Sequence, residues 1–118
     1  MSQIAIVVKG TEADAAALLK IKAVTGQSVQ DIKTAIQEQK PVYTGVLFFN
    51  DHDEVAEKLK SLLDSLDKNG LGYSIYELEE GEDFANVAGQ EQAYAITKET
   101  LLNILQTFDR ERERQENL

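Results

Sequence analysis

The single histidine of the chain lies among acidic residues that could, by residue type, bind a metal ion or transfer a proton. His52 is flanked by Asp51, Asp53 and Glu54. A metal site needs ligands that converge on one point, and one imidazole beside local carboxylates is poor evidence for one. The same residues suit the start of a helix, where Asp51 caps, Glu54 reaches back and the acids favour the positive end of the helix dipole. We therefore predict a helix N-terminus here and no metal site.

Few other residues could carry out catalysis or hold a cofactor. The chain has one His and no Cys, which leaves little for nucleophilic catalysis and excludes disulfides and Cys-based zinc sites. The run Gly70-Leu71-Gly72 follows a predicted helix and precedes a predicted strand, whereas a phosphate loop has the opposite order. We predict no catalytic residues and no cofactor, so the chain is not expected to be an enzyme.

A stretch of carboxylates is the strongest chemical signal in the sequence. Six acidic residues and no Lys or Arg lie between Lys68 and Lys98. They are Glu77, Glu79, Glu80, Glu82, Asp83 and Glu91. Such a stretch indicates either a solvated surface or a docking surface for a basic partner, and both interpretations remain open. The first five of these residues are our candidate partner-binding residues.

The charge balance bears on partners and location. The net charge is −9, and residues 1–40 contribute +1 while the rest contribute −10. Direct binding to nucleic acid is not expected, because it requires clustered Lys and Arg. No apolar run approaches the roughly 20 residues of a membrane span, and no basic region precedes residues 4–8, so we predict a first strand there and not a signal peptide. The expected location is the cytoplasm, as a monomer or homodimer.

The periodicity of apolar residues predicts an α+β fold in strand-helix-helix-strand-helix-strand order, followed by one more helix. The predicted strands are residues 4–8, 42–49 and 71–78. Thr11, Ser28, Asp51 and Thr97 are the predicted helix caps. Residues 79–92 are acidic, contain Gly and lack periodicity, which predicts a loop. The last helix carries an apolar stripe made of Leu101, Ile104, Leu105 and Phe108.

These elements predict a single domain, 1–118, with a core of residues 1–78, an acidic loop over 79–96 and an added helix over 97–118. We expect three antiparallel strands with the first three helices on one face. The strand at 42–49 has apolar side chains on both faces, so its second face also needs a cover. We expect the last helix to cross that face, in the same chain or in a dimer mate.

Two segments at the first helix junction carry a resemblance to a known family. The run LKIKAVTG at residues 19–26 leads into VQDIK at residues 29–33, and Pro41 precedes the middle strand. Together these residues resemble the C-terminal domain of the bacterial ribosomal stalk protein, which recruits translational GTPases, over roughly residues 3–78. The run VLFFND at residues 46–51 is also similar to an element of the related Clp protease adaptor, although there it follows the first strand.

The resemblance implies a fold and a second possible contact surface. In the stalk family the first two helices bind GTPases through basic residues, which places Leu18, Lys22 and Lys33 on the corresponding surface here. Asp14 and Leu19 stand where the family has lysines and Ser28 where it has a Gly, so the match at this surface is incomplete. The dimerisation domain and hinge of the family have no counterpart in this chain, which is therefore not expected to be a stalk protein.

Two functions therefore follow as hypotheses. One is a non-catalytic inhibitor or immunity-type protein that neutralises a basic partner, such as a nuclease toxin, through its carboxylates. The alternative is a translation-linked module that binds a GTPase or a ribosome-associated factor through its first two helices. A toxin gene directly upstream would favour the first hypothesis, and co-purification with ribosomes would favour the second.

Overall fold

The order of helices and strands matches the predicted order up to the third strand and then departs from it. The computed structural model describes residues 2–10, 14–47, 52–87 and 89–116, with the backbone alone for residues 108 and 111–116. The elements are β1 (Ser2–Val8), α1 (Ala15–Thr25), α2 (Val29–Gln37), β2 (Tyr43–Val46), α3 (His52–Lys68), β3 (Tyr73–Glu79), 3₁₀ helices at Phe84–Val87 and Glu91–Tyr94, β4 (Ala95–Ile96) and α4 (Lys98–Glu116).

The strands form one antiparallel sheet in the order β2-β1-β3-β4, which confirms the α+β class. The predicted count of three strands is wrong, because Ala95 and Ile96 pair with Tyr76 and Ile75 to make a fourth. A strand of two residues is too short to show an alternating pattern in the sequence. The second strand is described over Tyr43–Val46, and the predicted continuation at Phe48 and Phe49 lies outside the described residues.

Hydrogen bonds at the helix ends explain where the helices begin and stop. Ser28 Oγ accepts from the Asp31 N–H at 3.1 Å and Thr97 Oγ1 accepts from the Thr100 N–H at 3.0 Å, which confirms both predicted caps. Asp14 caps α1 by accepting from the Ala17 N–H at 2.8 Å. Our prediction of Thr11 as the cap of this helix is therefore wrong, because α1 begins at Ala15 with Asp14 as its cap. Thr11 itself and the predicted cap Asp51 lie outside the described residues. Gly26 ends α1 with a φ of 77°, a conformation that favours glycine.

The main core lies between the sheet and a layer formed by all four α-helices. Alternate residues of β1, beginning at Ile4, point into this core, as do four leucines of α3 that are at most 1% exposed: Leu59, Leu62, Leu63 and Leu66. Close approach of α3 to β2 depends on Gly45, since a Cβ there would lie 2.6 Å from Val55 Cγ1. We call the face of the sheet that carries the helices the helix face, and the opposite face the second face.

The last helix lies on the helix face, so our prediction that it crosses the second face is wrong. Leu101 and Leu105 are at most 1% exposed and belong to the main core. Lys98 Nζ lies 2.8 Å from Asp67 Oδ2 and so ties the start of α4 to α3. The second face also needs less cover than we predicted, because β2 presents exposed Thr44 and half-buried Val46 there. Among the described residues, no helix is both long and apolar enough to cross a membrane.

Candidate functional site

The acidic segment, residues 77–91, begins on β3 and covers the second face of the sheet. Side chains alternate between the two faces along β3, so Tyr76 and Leu78 point to the second face. There they form a second apolar cluster with Ala5 and Val7 of β1 and with Val87 of the acidic segment. The segment that we predicted to be a loop is therefore folded against the sheet through its own apolar side chains.

Three apolar side chains hold the acidic segment and the residues after it on the sheet. Val87 is 3% exposed, and Phe84 and Tyr94 pack against the same cluster while remaining partly exposed. The ring centroids of Phe84 and Tyr76 are 5.2 Å apart at an interplanar angle of 54°. Aromatic pairs at this distance and tilt stabilise beyond the area they bury.

Hydrogen bonds from Gln3 fix the turn that carries most of the carboxylates. The Gln3 side chain donates from Nε2 to the Glu82 carbonyl at 2.9 Å and accepts through Oε1 from the Gly81 N–H at 3.1 Å. Gly81 has a φ of 83°, which a glycine adopts without strain. Asp83 Oδ1 accepts from the Ala85 N–H at 3.0 Å, which caps the first 3₁₀ helix. The conformation of this turn is thus set by contacts with β1 as well as by local bonds.

The candidate carboxylates divide into two groups by position. Glu79, Glu80 and Asp83 are exposed, and Glu82 is half-buried beside them at the turn. Glu77 is set apart, because its register position opposite Ile4 puts it on the helix face. Across the described part of the chain, no ion pair involves a carboxylate of the acidic segment. Among the residues whose side chains the structure describes, no ion pair therefore neutralises the negative charge of the turn.

A groove of about 430 Å³ separates the acidic segment from the turn between α2 and β2. One wall consists of residues 38–41, and the other consists of residues 83–85 with Glu91. Three of the lining residues are carboxylates, Glu38, Asp83 and Glu91, while Pro41, Phe84 and Ala85 supply apolar surface. We did not predict this groove, because its walls lie more than 40 residues apart in the sequence and no local pattern connects them.

Both walls of the groove are held by internal hydrogen bonds. Gln39 has a φ of 55°, a left-handed conformation that is uncommon for a residue other than glycine. Its Nε2 lies 2.7 Å from the carbonyl oxygens of Gly10 and Ile36 and 3.1 Å from that of Val8. On the opposite wall, backbone hydrogen bonds from Glu91 itself and from Gly89 lower the pKa of the Glu91 carboxyl. That carboxylate is therefore ionised at neutral pH.

The second candidate surface, on α1 and α2, is only partly exposed. Lys22 and Lys33 are exposed, but Leu18 is 4% exposed and belongs to the main core. The neighbouring Leu19 is 59% exposed and is the most exposed large apolar side chain among the described residues. If this surface binds a partner, Leu19 and not Leu18 supplies the apolar contact.

His52 begins α3 as predicted and is 2% exposed. The fold brings Asp109 of α4 beside it, and ligand atoms of His52, Asp53 and Asp109 lie within 4.8 Å of one another. No local pattern indicates the third residue, which lies 56 positions after Asp53 along the chain. The three side chains are close enough together to coordinate a cation. They lie at the positive end of the α3 dipole, however, and that position disfavours cation binding.

Comparisons of the chain with known proteins identify no relative. No protein-family model, curated protein or solved structure matches the chain. The resemblance to the ribosomal stalk domain therefore remains a prediction made from the short segments at residues 19–33.

Proposed function

We propose that the chain is a non-catalytic binding protein whose acidic segment captures a basic protein, in the manner of an inhibitor that neutralises a nuclease toxin. One observation carries the proposal. The carboxylates of the turn, Glu79, Glu80, Glu82 and Asp83, are displayed on a segment that is anchored to the sheet, and among the described residues none of them forms an ion pair. A solvated loop needs no such anchoring.

The physical benefit of this arrangement is preorganisation. A mobile acidic loop would lose conformational freedom when a partner binds, and that loss weakens binding. Val87, Phe84 and the Gln3 hydrogen bonds order the segment before binding. A fixed cluster of one charge also steers a partner of opposite charge and raises the association rate. The net charge of −9 adds to that attraction.

A second function is favoured by a different observation, the exposure of Leu19 on α1, which also carries the exposed Lys22, while α2 carries the exposed Lys33. A surface with an exposed apolar side chain and exposed lysines suits an acidic partner with an apolar contact point. This is the translation-linked alternative, in which a GTPase or a ribosome-associated factor binds the first two helices. This alternative requires an acidic partner, whereas our main proposal requires a basic one.

One experiment separates the two functions. Proteins that bind the chain in cells are joined to it with a reagent that couples carboxylates directly to amines, and mass spectrometry then locates the joined residues. We expect a basic partner, with its lysines joined to Glu79, Glu80 or Asp83. Joining of Lys22 or Lys33 to carboxylates of an acidic partner would overturn the main proposal and support the alternative.

A further inference from the structure

We propose that the groove between residues 38–41 and 83–91 receives an arginine side chain of the basic partner. This inference rests on the proposed function, because it names the group through which that partner is recognised. The groove combines carboxylates with apolar surface from Pro41, Phe84 and Ala85. A cationic side chain with an apolar stem complements both, because its charge pairs with the carboxylates and its stem packs on the apolar surface.

The lining favours arginine over lysine. A guanidinium is planar, is weakly hydrated and stacks on aromatic rings, whereas an ammonium is a compact and strongly hydrated charge. Phe84 lines the groove and is partly exposed, so one part of its ring surface is accessible beside the part that packs on Tyr76. The carboxylates among the lining residues, such as Asp83 and Glu91, can accept the paired N–H donors of the guanidinium.

A cation of the chain itself competes for the groove. Lys40 Nζ lies 3.3 Å from Glu38 Oε2, and both side chains are more than half exposed. An exposed pair of this kind is weak, so a partner can displace it. The pairing still neutralises one of the three carboxylates of the groove in the free protein. Removal of the Lys40 charge should therefore strengthen binding of an arginine, which is an unusual result for a substitution in a binding site.

The walls are built to keep their shape while a side chain enters. Gln39 holds one wall through its contacts with the carbonyl oxygens of Gly10 and Ile36, in a backbone conformation with φ of 55°. The Asp83 cap on Ala85 and the Phe84–Tyr76 ring contact hold the other. A residue held in a sparsely populated conformation at a site often marks preorganisation for function.

The first test is an NMR titration of the full chain with Nα-acetyl-arginine amide. Nα-acetyl-lysine amide and Nα-acetyl-citrulline amide serve as probes that lack the guanidinium or lack the charge. We expect backbone shift changes at residues 38–41, 83–85 and 91 with the arginine probe, smaller changes with lysine and none with citrulline. Changes centred on Glu79 and Glu80 alone, or equal changes with citrulline, would overturn the inference.

The second test uses variants with matched controls. Lys40→Ala should bind the arginine probe about threefold more tightly, because it removes the competing charge. Lys68→Ala removes an exposed lysine elsewhere and should leave the affinity unchanged. Phe84→Leu retains an apolar cover on the sheet but removes the ring, and should weaken binding about two- to fivefold. Equal affinities for Lys40→Ala and Lys68→Ala would contradict the role of the groove.

These results are distinguishable from a failure of the proposed function. If reversal of Glu79 and Glu80 weakens capture of the cellular partner while Lys40→Ala and Phe84→Leu do not alter it, the acidic segment binds the partner and the groove does not. If neither set of variants alters capture, the proposed function fails as well.

Discussion

Replacement of Val87 by Ala tests whether the acidic segment is part of the folded structure. Val87 is 3% exposed and packs with Ala5, Val7, Tyr76 and Leu78 on the second face. The substitution removes two buried methyl groups, worth about 0.8 kcal/mol each by transfer. The cavity left behind adds a further cost, so the expected loss of stability is about 1.5–2.5 kcal/mol.

The expected loss converts into a measurable change in melting temperature. The entropy of unfolding is about 2.1 cal/mol/K per residue, so for a chain of 118 residues each kcal/mol corresponds to about 4 °C. We therefore expect Val87→Ala to lower Tm by about 6–10 °C in calorimetry. Asn86→Ala, at an exposed neighbour in the same 3₁₀ helix, is the control and should change Tm little.

Hydrogen exchange shows whether the damage is local or global. If the segment detaches without unfolding the sheet, the Tm change will be small, but amide exchange over residues 84–94 will speed up relative to the wild type. Either result supports packing of the segment on the second face. The reasoning is refuted if Val87→Ala and Asn86→Ala have the same Tm and if amide exchange at residues 84–94 is unchanged in both variants.

Three further predictions concern the framework that positions the segment. Gly45→Ala should cost about 1–3 kcal/mol by overpacking, because the new Cβ would lie 2.6 Å from Val55 Cγ1. Gly72→Ala should be tolerated in the same calorimetric comparison, since its nearest contact is Lys9 Cβ at 3.6 Å. Leu105→Ala should cost about 2–5 kcal/mol in urea unfolding while the more exposed Leu102→Ala costs little, and equal costs would contradict the packing of α4. The pKa of Asp67 lies below its ordinary value of 3.8, chiefly because Lys98 donates a hydrogen bond to the carboxylate and secondly because Tyr73 does. These hydrogen bonds contribute to stability above pH 3.8, and their contribution is lost as the pH falls through the pKa of Asp67 in the folded protein. Asp67→Asn should therefore be less stable than the wild type at neutral pH, and the difference should shrink in urea melts below pH 3.8; a constant difference would refute the assignment.

Local sequence patterns were sufficient to predict the elements that pack through regular stripes. The leucines of α3 repeat at helical spacing, and the apolar residues of β1 fill both of its faces, so both elements were predicted from spacing alone. Ser28 and Thr97 marked their helix starts because a side-chain oxygen before an apolar stripe is a local signal. These predictions needed no knowledge of the rest of the fold.

The acidic segment and its groove depend on contacts that no local pattern records. Phe84, Val87 and Tyr94 cover the sheet from irregular structure, so their spacing matches neither a helix nor a strand. The left-handed conformation of Gln39 is more often found at glycine or asparagine, and its side-chain contacts reach back to β1. Candidate partner-binding residues could thus be chosen by charge, but their arrangement required the fold.

Our prediction of the position of α4 was wrong for a related reason. Its apolar stripe showed that one face is buried, but a stripe does not specify which surface covers it. The pairing of β4 with β3 and the Lys98–Asp67 contact at 2.8 Å lead the helix back to α3. Both features involve one or two residues, which is too little for a sequence pattern to reveal.

The most direct test of the central claim is the association rate of the chain with its captured basic partner, measured by stopped flow across a range of salt concentrations. Glu79→Lys with Glu80→Lys reverses two exposed charges of the acidic segment, and Glu57→Lys with Glu99→Lys reverses two exposed charges on helices. Both double variants change the net charge equally. We predict that the first slows association at least about tenfold and flattens its salt dependence, while the second has a much smaller effect. Equal rates for the two variants would show that net charge alone attracts the partner, and would contradict a binding site on the acidic segment.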